Sequence, residues 1–329
     1  MKKVSADKLR QILLPLSIAV ALLISVMSQA CANHISFVKP DSPSIEGRWD
    51  ITINESGKNI PSWLEVQRSG NHTLVGRFVY AFGSARPISQ IKVNDKKFSF
   101  SIPPQWEKGD NDMQFEFTQI GDSLSGTMIY TDGKMYSWTA ARAPLLQRLT
   151  KPIWGAPVQL FGGGTGLRGW HALGENQWVA ESGILRSPHS GSNLVTDKTY
   201  SDFKLHIEFR YPKGSNSGIY LRGRYEVQIE DARGGETEPI NNVFSAIYGF
   251  LPPGKMVAKN AGEWQSFDIT LIGRMVTVIA NGTTVICNQE IPGITGGAID
   301  SREGEPGPLL IQGDHGPVDF RNIIITTAK

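Results

Sequence analysis

The chain has 329 residues, enough for two ordinary domains, and its 33 basic side chains nearly balance its 31 acidic ones. A charge so close to neutral argues against nucleic acid as a partner. With only two cysteines, Cys31 and Cys287, the chain is not a disulfide scaffold, and Cys287 is expected to be a small buried apolar residue. Its 35 glycines and 19 prolines, set between short apolar–polar alternations, predict an all-β protein rich in turns.

The first 32 residues have the composition of an export signal. A basic start precedes an apolar run over residues 12–24 that is too short for a confident membrane span. Ala30 and Ala32 follow the small-x-small rule of signal cleavage. We therefore predict a secretory signal peptide over residues 1–32 and an exported protein in the periplasm or at the cell surface.

Cys31 is an alternative site for a lipid anchor, which would be the protein's link to a membrane. Ser28 stands three residues before it, where a lipoprotein signal normally has Leu, so the signal-peptide interpretation fits better. Removal of residues 1–32 would lower the formal net charge from +2 to about −1.

The rest of the chain divides into two β-rich parts. Residues 33–44 resemble a tether, and residues 45–143 contain short alternating segments such as WDITI, MQFEFTQI and MYSWTAA between turn signals. That pattern predicts a meander closed into a small β-barrel. Residues 144–157 form a linker with apolar anchors, and residues 158–329 form the second domain.

The second domain has longer strands. The segment SDFKLHIEFR alternates apolar and mostly ionic side chains, and Asn281-Gly282 is a hairpin turn signal. Roughly ten strands and no sustained helical period predict a sandwich of two antiparallel sheets, most simply a jelly roll.

One segment of this domain, residues 219–230, combines an apolar face with a polar one. Because successive strand side chains point to opposite faces, its even-numbered residues should lie together. These residues are Tyr220, Arg222, Arg224, Glu226, Gln228 and Glu230. A solvated outer face is the plain alternative, but two arginines, which bind oxygen-rich groups in a planar manner, favour a functional groove.

A second block places polar groups in a Gly/Pro-rich loop and after a strand. The loop holds Asp300, Glu303 and Glu305, and the strand is followed by Gln312, Asp314 and His315. His315 beside Asp314 is a candidate general acid or base. The sequence has no His/Cys spacing typical of a zinc site. A divalent cation could bind the loop carboxylates, but no calcium-loop signature supports it, so no metal is assigned.

These blocks together carry a resemblance to a known family. They read LFGGGTGLRGWHA, WVAESGILRS, LVTDKTYSDFKLHIEFR, SNSGIYLRGRYEVQIED, GEWQSFDITLIGRMVTVIANG and EGEPGPLLIQGDHGPVDFRNI. In this order they resemble the 3-keto-disaccharide hydrolase family over about residues 158–327. The resemblance implies an exported bacterial protein with a concanavalin A-like jelly-roll fold and a 3-keto-glycoside as its carbohydrate substrate. The first domain lies outside it.

The implied chemistry differs from that of an ordinary glycosidase, which needs two carboxylates across the glycosidic bond. A ketone at C3 acidifies the C2 hydrogen, so a base can form an enolate, the C1 substituent can leave, and water can add back. From chemistry, Arg222 and Arg224 suit the enolate stabiliser, Glu226 or Glu230 the base, and His315 or Asp314 the acid. The remaining candidates for substrate binding are Tyr220, Gln228, Gln312 and Glu303.

Two other functions compete with an enzyme. A non-catalytic carbohydrate-binding module can have the same jelly roll. Its groove would be rich in exposed aromatic side chains, whereas Trp170, Trp178 and Trp264 lie in apolar contexts typical of a core. A structural envelope protein would leave the ionic face unexplained. The ionic face therefore favours the enzyme.

Overall fold

The computed structural model describes residues 44–163, 166–231 and 238–329, and within these ranges it has strands but no helix. It thus contains nothing helical there that could span a membrane. The predicted signal peptide, and the predicted tether except for Ser44, lie outside the described residues. The strands are β1 (Gly47–Glu55), β2 (Lys58–Ser69), β3 (Thr73–Val79), β4 (Arg86–Asn94), β5 (Lys97–Ile102), β6 (Met113–Ile120), β7 (Ser123–Ile129), β8 (Met135–Arg142), β9 (Val158–Phe161), β10 (Trp170–Ala172), β11 (Val179–Glu181), β12 (Ile184–Ser187), β13 (Leu194–Tyr200), β14 (Phe203–Arg210), β15 (Asn216–Leu221), β16 (Tyr225–Glu230), β17 (Gln265–Ile272), β18 (Met275–Ala280), β19 (Thr283–Glu290), β20 (Gly307–Ile311) and β21 (Val318–Thr327).

The first eight strands form a closed antiparallel barrel, in which β1 pairs with both β2 and β8. Every second side chain of a strand points into the barrel, and in β1 these inward side chains are Trp49, Ile51 and Ile53, which are all buried. The barrel and the sandwich that follows confirm the predicted all-β class. The sequence pattern does not predict β4, because Pro87 and the polar side chains of this strand weaken the strand signal.

Two antiparallel sheets follow the barrel. The first has the strand order β10-β13-β20-β15-β16, and the second has the order β11-β12-β21-β14-β17-β18-β19, with β9 also paired to β21. The main core contains Phe203 and Leu205 from one sheet and Ile219 and Val227 from the other. Cys287 is exposed rather than buried as predicted, because it lies on β19 at the edge of its sheet.

The barrel packs closely against the sandwich. Trp63 of the barrel belongs to the sandwich's hydrophobic cluster and meets Phe250 edge to face at 5.3 Å between ring centroids. Gly293 lies against the indole of Trp63 so closely that a Cβ would clash with the ring. Polar contacts join the same two parts, including Arg48 to Glu290 at 2.5 Å. The barrel therefore extends the hydrophobic core of the sandwich through Trp63 and is linked to the surface of the sandwich by an ion pair.

Candidate active site

The polar segment of the sequence folds as a hairpin and not as the single strand that alternation predicted. Strands β15 and β16 are joined by the turn 222–224, whose first two residues have φ of 53° and 66°. Because the turn has three residues, Tyr220 lies directly opposite Glu226, and Gly218 opposite Gln228. The even-numbered strand residues therefore still share one face, which is the face away from the main core.

A cavity of about 560 Å³ lies on this face. Six of the residues predicted for the site line it, namely Tyr220, Glu226, Gln228, Gln312, Asp314 and His315. The last three follow β20, which pairs with β15, and this pairing brings the second sequence block beside the hairpin. A hollow of about 700 Å³ on the barrel is larger, but it has none of the predicted site residues in its lining.

Glu226 is the buried acid of the cavity. Burial raises its pKa to about 8, while a hydrogen bond with Tyr220 and the charge of His315 act in the opposite direction. The Tyr220 hydroxyl lies 2.9 Å from Glu226 Oε2 and 3.0 Å from the Gly296 carbonyl oxygen. The phenolic proton is donated to the Glu226 carboxylate, with the Gly296 carbonyl as a second acceptor within reach, so this hydrogen bond stabilises the ionised form of Glu226. Glu226 is thus poised to exchange a proton near neutral pH.

His315 and Asp314 form a pair at the more open side of the cavity. His315 Nδ1 lies 2.6 Å from Asp314 Oδ1, and both side chains are about half exposed. This hydrogen bond raises the pKa of His315 although partial burial opposes it. A protonated imidazole within electrostatic range of Glu226 can donate a proton to a substrate oxygen.

Two amide side chains in the cavity have unmet hydrogen-bonding capacity. Gln228 and Gln312 are only 3% and 8% exposed, and the Oε1 atom of each has no partner among the described residues. Buried amide oxygens are normally hydrogen-bonded, so both point to a ligand that carries hydroxyl donors.

Arg222 and Arg224 do not line the cavity, so the placement expected from alternation is wrong for both. The turn takes them out of the strand pleat. Arg222 packs on the ring of Tyr225 at 5.0 Å and donates to the Gly273 carbonyl at 2.8 Å. Arg224 donates to Asp300 Oδ1 at 2.7 Å. Both guanidinium groups hold the hairpin turn against neighbouring loops.

Glu303 and Glu230 are also outside the lining of the cavity. Glu303 is fully buried, accepts a hydrogen bond from Tyr225 at 2.6 Å and pairs with Arg274 at 2.5 Å. Glu230 lies two residues beyond Gln228 at the end of β16, and burial raises its pKa even though it accepts a backbone hydrogen bond from Phe244. The expected convergence of all the predicted residues is therefore only partial.

The acidic loop does not gather into a cation site. Asp300 is bound by Arg224 and Arg302, and Glu303 is bound by Arg274. Across the described ranges, no group of three or more His, Cys, Asp and Glu side chains is arranged to hold a metal ion.

Sequence reasoning missed three polar residues of the lining, Asn193, Asn216 and Tyr248. Tyr248 is brought to the cavity by a segment that runs beside β16, where its backbone N–H donates to the Glu226 carbonyl at 3.0 Å. Side-chain hydrogen bonds with Ser84 and Trp106 lower the pKa of Tyr248, but burial outweighs them and raises it. The pairing of an irregular segment with a strand edge leaves no periodic signal in the sequence.

Three further lining residues come from the barrel, namely Phe82, Gly83 and Trp106. The aromatic residues expected in the core are divided: Trp170 and Trp178 are buried, whereas Trp264 is partly exposed with Arg321 stacked at 4.0 Å from its ring.

Comparison with known families tests the resemblance directly. The family described as the 3-keto-alpha-glucoside-1,2-lyase-like domain matches residues 156–326, which is more than half of the chain and contains the whole hairpin and the block after β20. The chain belongs to this family. The predicted membership is confirmed, and the barrel lies outside the matched domain.

Similar proteins include a curated 3-keto-disaccharide hydrolase of Bacteroides thetaiotaomicron, 25% identical over 150 residues. The match covers 34% of this chain and about half, 51%, of the length of that relative. Two crystal structures of candidate glycosyl hydrolases from Parabacteroides distasonis are each 25% identical to this chain. The first covers 56% of this chain and 96% of its own, with a TM-score of 0.45. The second covers 52% and 98%, with a TM-score of 0.41.

Proposed function

We propose that the protein cleaves 3-keto-glycosides by removing the proton at C2, with Glu226 as the base. The observation that carries this proposal is a single buried carboxyl group whose pKa is raised to about 8, opposite a His–Asp pair in one cavity. An ordinary glycosidase would need two carboxylates across the bond, and the other carboxylate of this cavity, Asp314, is hydrogen-bonded to His315. A 3-keto sugar needs only one base, because the ketone supplies the acidity. The membership in a family of 3-keto-α-glucoside lyase-like domains supports the same substrate class.

The proposed reaction is an elimination across C1 and C2 that water addition can follow. The Glu226 carboxylate takes the C2 proton, and the C2–H electron pair forms an enolate with its charge on the C3 oxygen. The enolate collapses, the C1–O bond breaks, and His315 donates a proton to the departing oxygen. In the hydrolytic branch water adds to C1, its proton passes to His315, and Glu226 returns its proton to C2. The lyase branch ends before the addition of water.

Three neutral side chains suit the enolate and the hydroxyls of the sugar. Tyr248 lines the cavity, and its hydroxyl has side-chain hydrogen bonds with Ser84 and Trp106, of which the indole N–H can only donate. The phenolic proton can therefore be directed at the C3 oxygen. The buried amide oxygens of Gln228 and Gln312 can accept from sugar hydroxyls. The Tyr248 hydroxyl takes the role of enolate stabiliser that Arg222 and Arg224 were expected to fill.

The test is cleavage of a 3-keto-glucoside and its parent glucoside by the full chain, with and without a chelator. The parent protein should act on the keto compound alone. Glu226→Gln should lower kcat/KM by about 100-fold or more, since general bases typically contribute this much. Glu116→Gln, an exposed carboxylate on the barrel, is the matched control and should change little.

Two outcomes would contradict the proposal. Glu226→Gln could cleave at the parent rate, or the parent protein could bind the keto-glycoside without cleaving it. The second outcome would favour the carbohydrate-binding module, a function that the aromatic side chains at the rim of the cavity would also suit.

A further inference from the structure

The cavity is built partly by the barrel, which lies outside the part of the chain that the family matches. Phe82 lies between β3 and β4, and Trp106 lies between β5 and β6, so both come from barrel loops. Phe82 is 44% exposed and Trp106 is 65% exposed, so both present aromatic surface at the opening of the cavity. They stand at the rim, whereas Glu226, Tyr220 and Gln228 are buried at the inner end.

The loop that carries Trp106 is held rigidly. Glu107, the next residue, is buried and pairs with Arg86 at 2.8 Å. Arg86 also donates to the Pro103 carbonyl at 2.8 Å. Gln105 joins this loop to the loop of Phe82, since its Oε1 accepts from the Ser84 backbone at 2.9 Å. A buried ion pair with these added hydrogen bonds fixes a loop that would otherwise be free to move.

The loop of Phe82 is also docked on the sandwich beside the site. The Gly297 N–H donates to the Ala81 carbonyl at 2.8 Å. A Cβ on Gly296 would lie 2.5 Å from the Gly83 carbonyl oxygen, and a Cβ on Gly249 would lie 2.7 Å from Ser84 Cα. The missing side chains at these two glycines permit backbone contact, which sets the aromatic residues at a fixed distance from the buried groups.

We propose that Phe82 and Trp106 form an aromatic platform that binds the ring of the leaving group, a sugar or a phenol. This inference rests on the proposed function. The ketone-bearing ring must reach Glu226 at the inner end, so the C1 substituent is directed toward the rim. A sugar ring presents a face of C–H groups and a phenol a flat aromatic face, and both pack on an aromatic side chain. The platform opens onto the site where the amide oxygens of Gln228 and Gln312 are unpartnered. The barrel thereby selects glycosides with a cyclic aglycone.

The experiment measures kcat/KM for three 3-keto-glucosides, with glucose, p-nitrophenol or methanol as the aglycone. In Trp106→Ala, the ratio of kcat/KM for each cyclic aglycone to that for the methyl glycoside should fall about tenfold, equivalent to about 1.4 kcal/mol. If the fall occurs with only one of the two, the platform serves that class of ring. Ile120→Ala, at a barrel residue that is 78% exposed and outside the cavity, should leave all three ratios unchanged.

A second variant separates the platform from the hydrogen bond to Tyr248. Trp106→Phe keeps an aromatic face but loses the indole N–H, so it should retain most of the selectivity. An equal loss for all three substrates in Trp106→Ala would overturn the proposal, because Trp106 would then act through Tyr248. Unchanged ratios would overturn it as well.

The two proposals can fail independently. If the parent protein cleaves none of the compounds, the proposed reaction is wrong, and calorimetric binding still tests the platform. In that case Trp106→Ala should weaken binding of the two cyclic glycosides relative to the methyl glycoside, and equal binding of all three would overturn the platform.

Discussion

At the scale of single residues, the proposed chemistry depends on opposed effects at Glu226. Burial favours the neutral acid, whereas Tyr220 and His315 favour the carboxylate. The result is a pKa of about 8, which makes the carboxylate a stronger base than an exposed glutamate and still ionisable under mild conditions. The sequence could identify Glu226 as a candidate, but its pKa depends on burial by loops distant in the chain, which a strand pattern does not contain.

Replacing Tyr220 with Phe should move the pH profile in a defined direction. The phenol's hydrogen bond lowers the pKa of Glu226, so its loss should raise that pKa above about 8. The base is active when deprotonated, and the ascending limb of kcat/KM against pH should therefore shift to higher pH. Rates measured from about pH 6 to about pH 10 would show it.

Tyr136→Phe, on the barrel and outside the cavity, is the matched control. An ascending limb that stays in place, or moves to lower pH, would show that Tyr220 does not stabilise the carboxylate.

At the scale of elements, the hairpin shows what alternation can and cannot predict. Tyr220, Glu226 and Gln228 share a face as predicted, since the three-residue turn preserves the parity of positions across the strands. Arg222 and Arg224 do not share that face, because they lie in the turn and turn residues do not follow the alternation of a strand. Arg222 at positive φ, followed by Gly223, is the local sign of a turn within what otherwise reads as one strand.

This placement predicts a structural role for Arg222. Its guanidinium is buried and donates to Tyr225 Oη at 3.0 Å as well as to the Gly273 carbonyl. Arg222→Ala should lower the free energy of unfolding by about 1–3 kcal/mol, because a buried carbonyl and a buried hydroxyl lose a partner. Urea unfolding measures it, and the folded variant should keep kcat within a few-fold of the parent.

Arg302→Ala is the matched control, since that side chain is largely exposed and should contribute little. A steep loss of kcat in Arg222→Ala at unchanged stability would place Arg222 in the reaction after all.

At the scale of the whole molecule, the all-β class and the order of barrel and sandwich were predictable because alternation and turn signals are local. The contribution of the barrel to the cavity was not predictable. It depends on which loops of one part face the other, and Phe82 and Trp106 carry no pattern that marks them. Arg86 similarly gives no sign in the sequence that its partner is Glu107 and that the pair positions a loop.

A second connection between barrel and sandwich is a pair of carboxyl groups. Asp50 of β1 lies beside Glu303, with a hydrogen bond between them. Burial and the neighbouring charge of Glu303 raise the pKa of Asp50 to about 9. Burial alone would raise the pKa of Glu303 too, but Arg274 lowers it below its ordinary value. The pair therefore holds one proton, mainly on Asp50, at neutral pH.

This shared proton makes stability depend on pH. Between the ordinary Asp value of 3.8 and about 9, the folded chain keeps a proton that the unfolded chain releases, so stability should fall as pH rises across that range. In Asp50→Asn the amide N–H can still donate a hydrogen bond to Glu303, but the side chain no longer titrates. Its melting temperature should match the parent near pH 5 and exceed it by at least about 2 °C near pH 9, which corresponds to about 1 kcal/mol.

Differential scanning calorimetry at both pH values measures this, and Asp110→Asn, exposed on the barrel, should show no such crossover. A variant that is less stable than the parent at about pH 9 would mean that Asp50 is ionised there and bound as a carboxylate to Arg274.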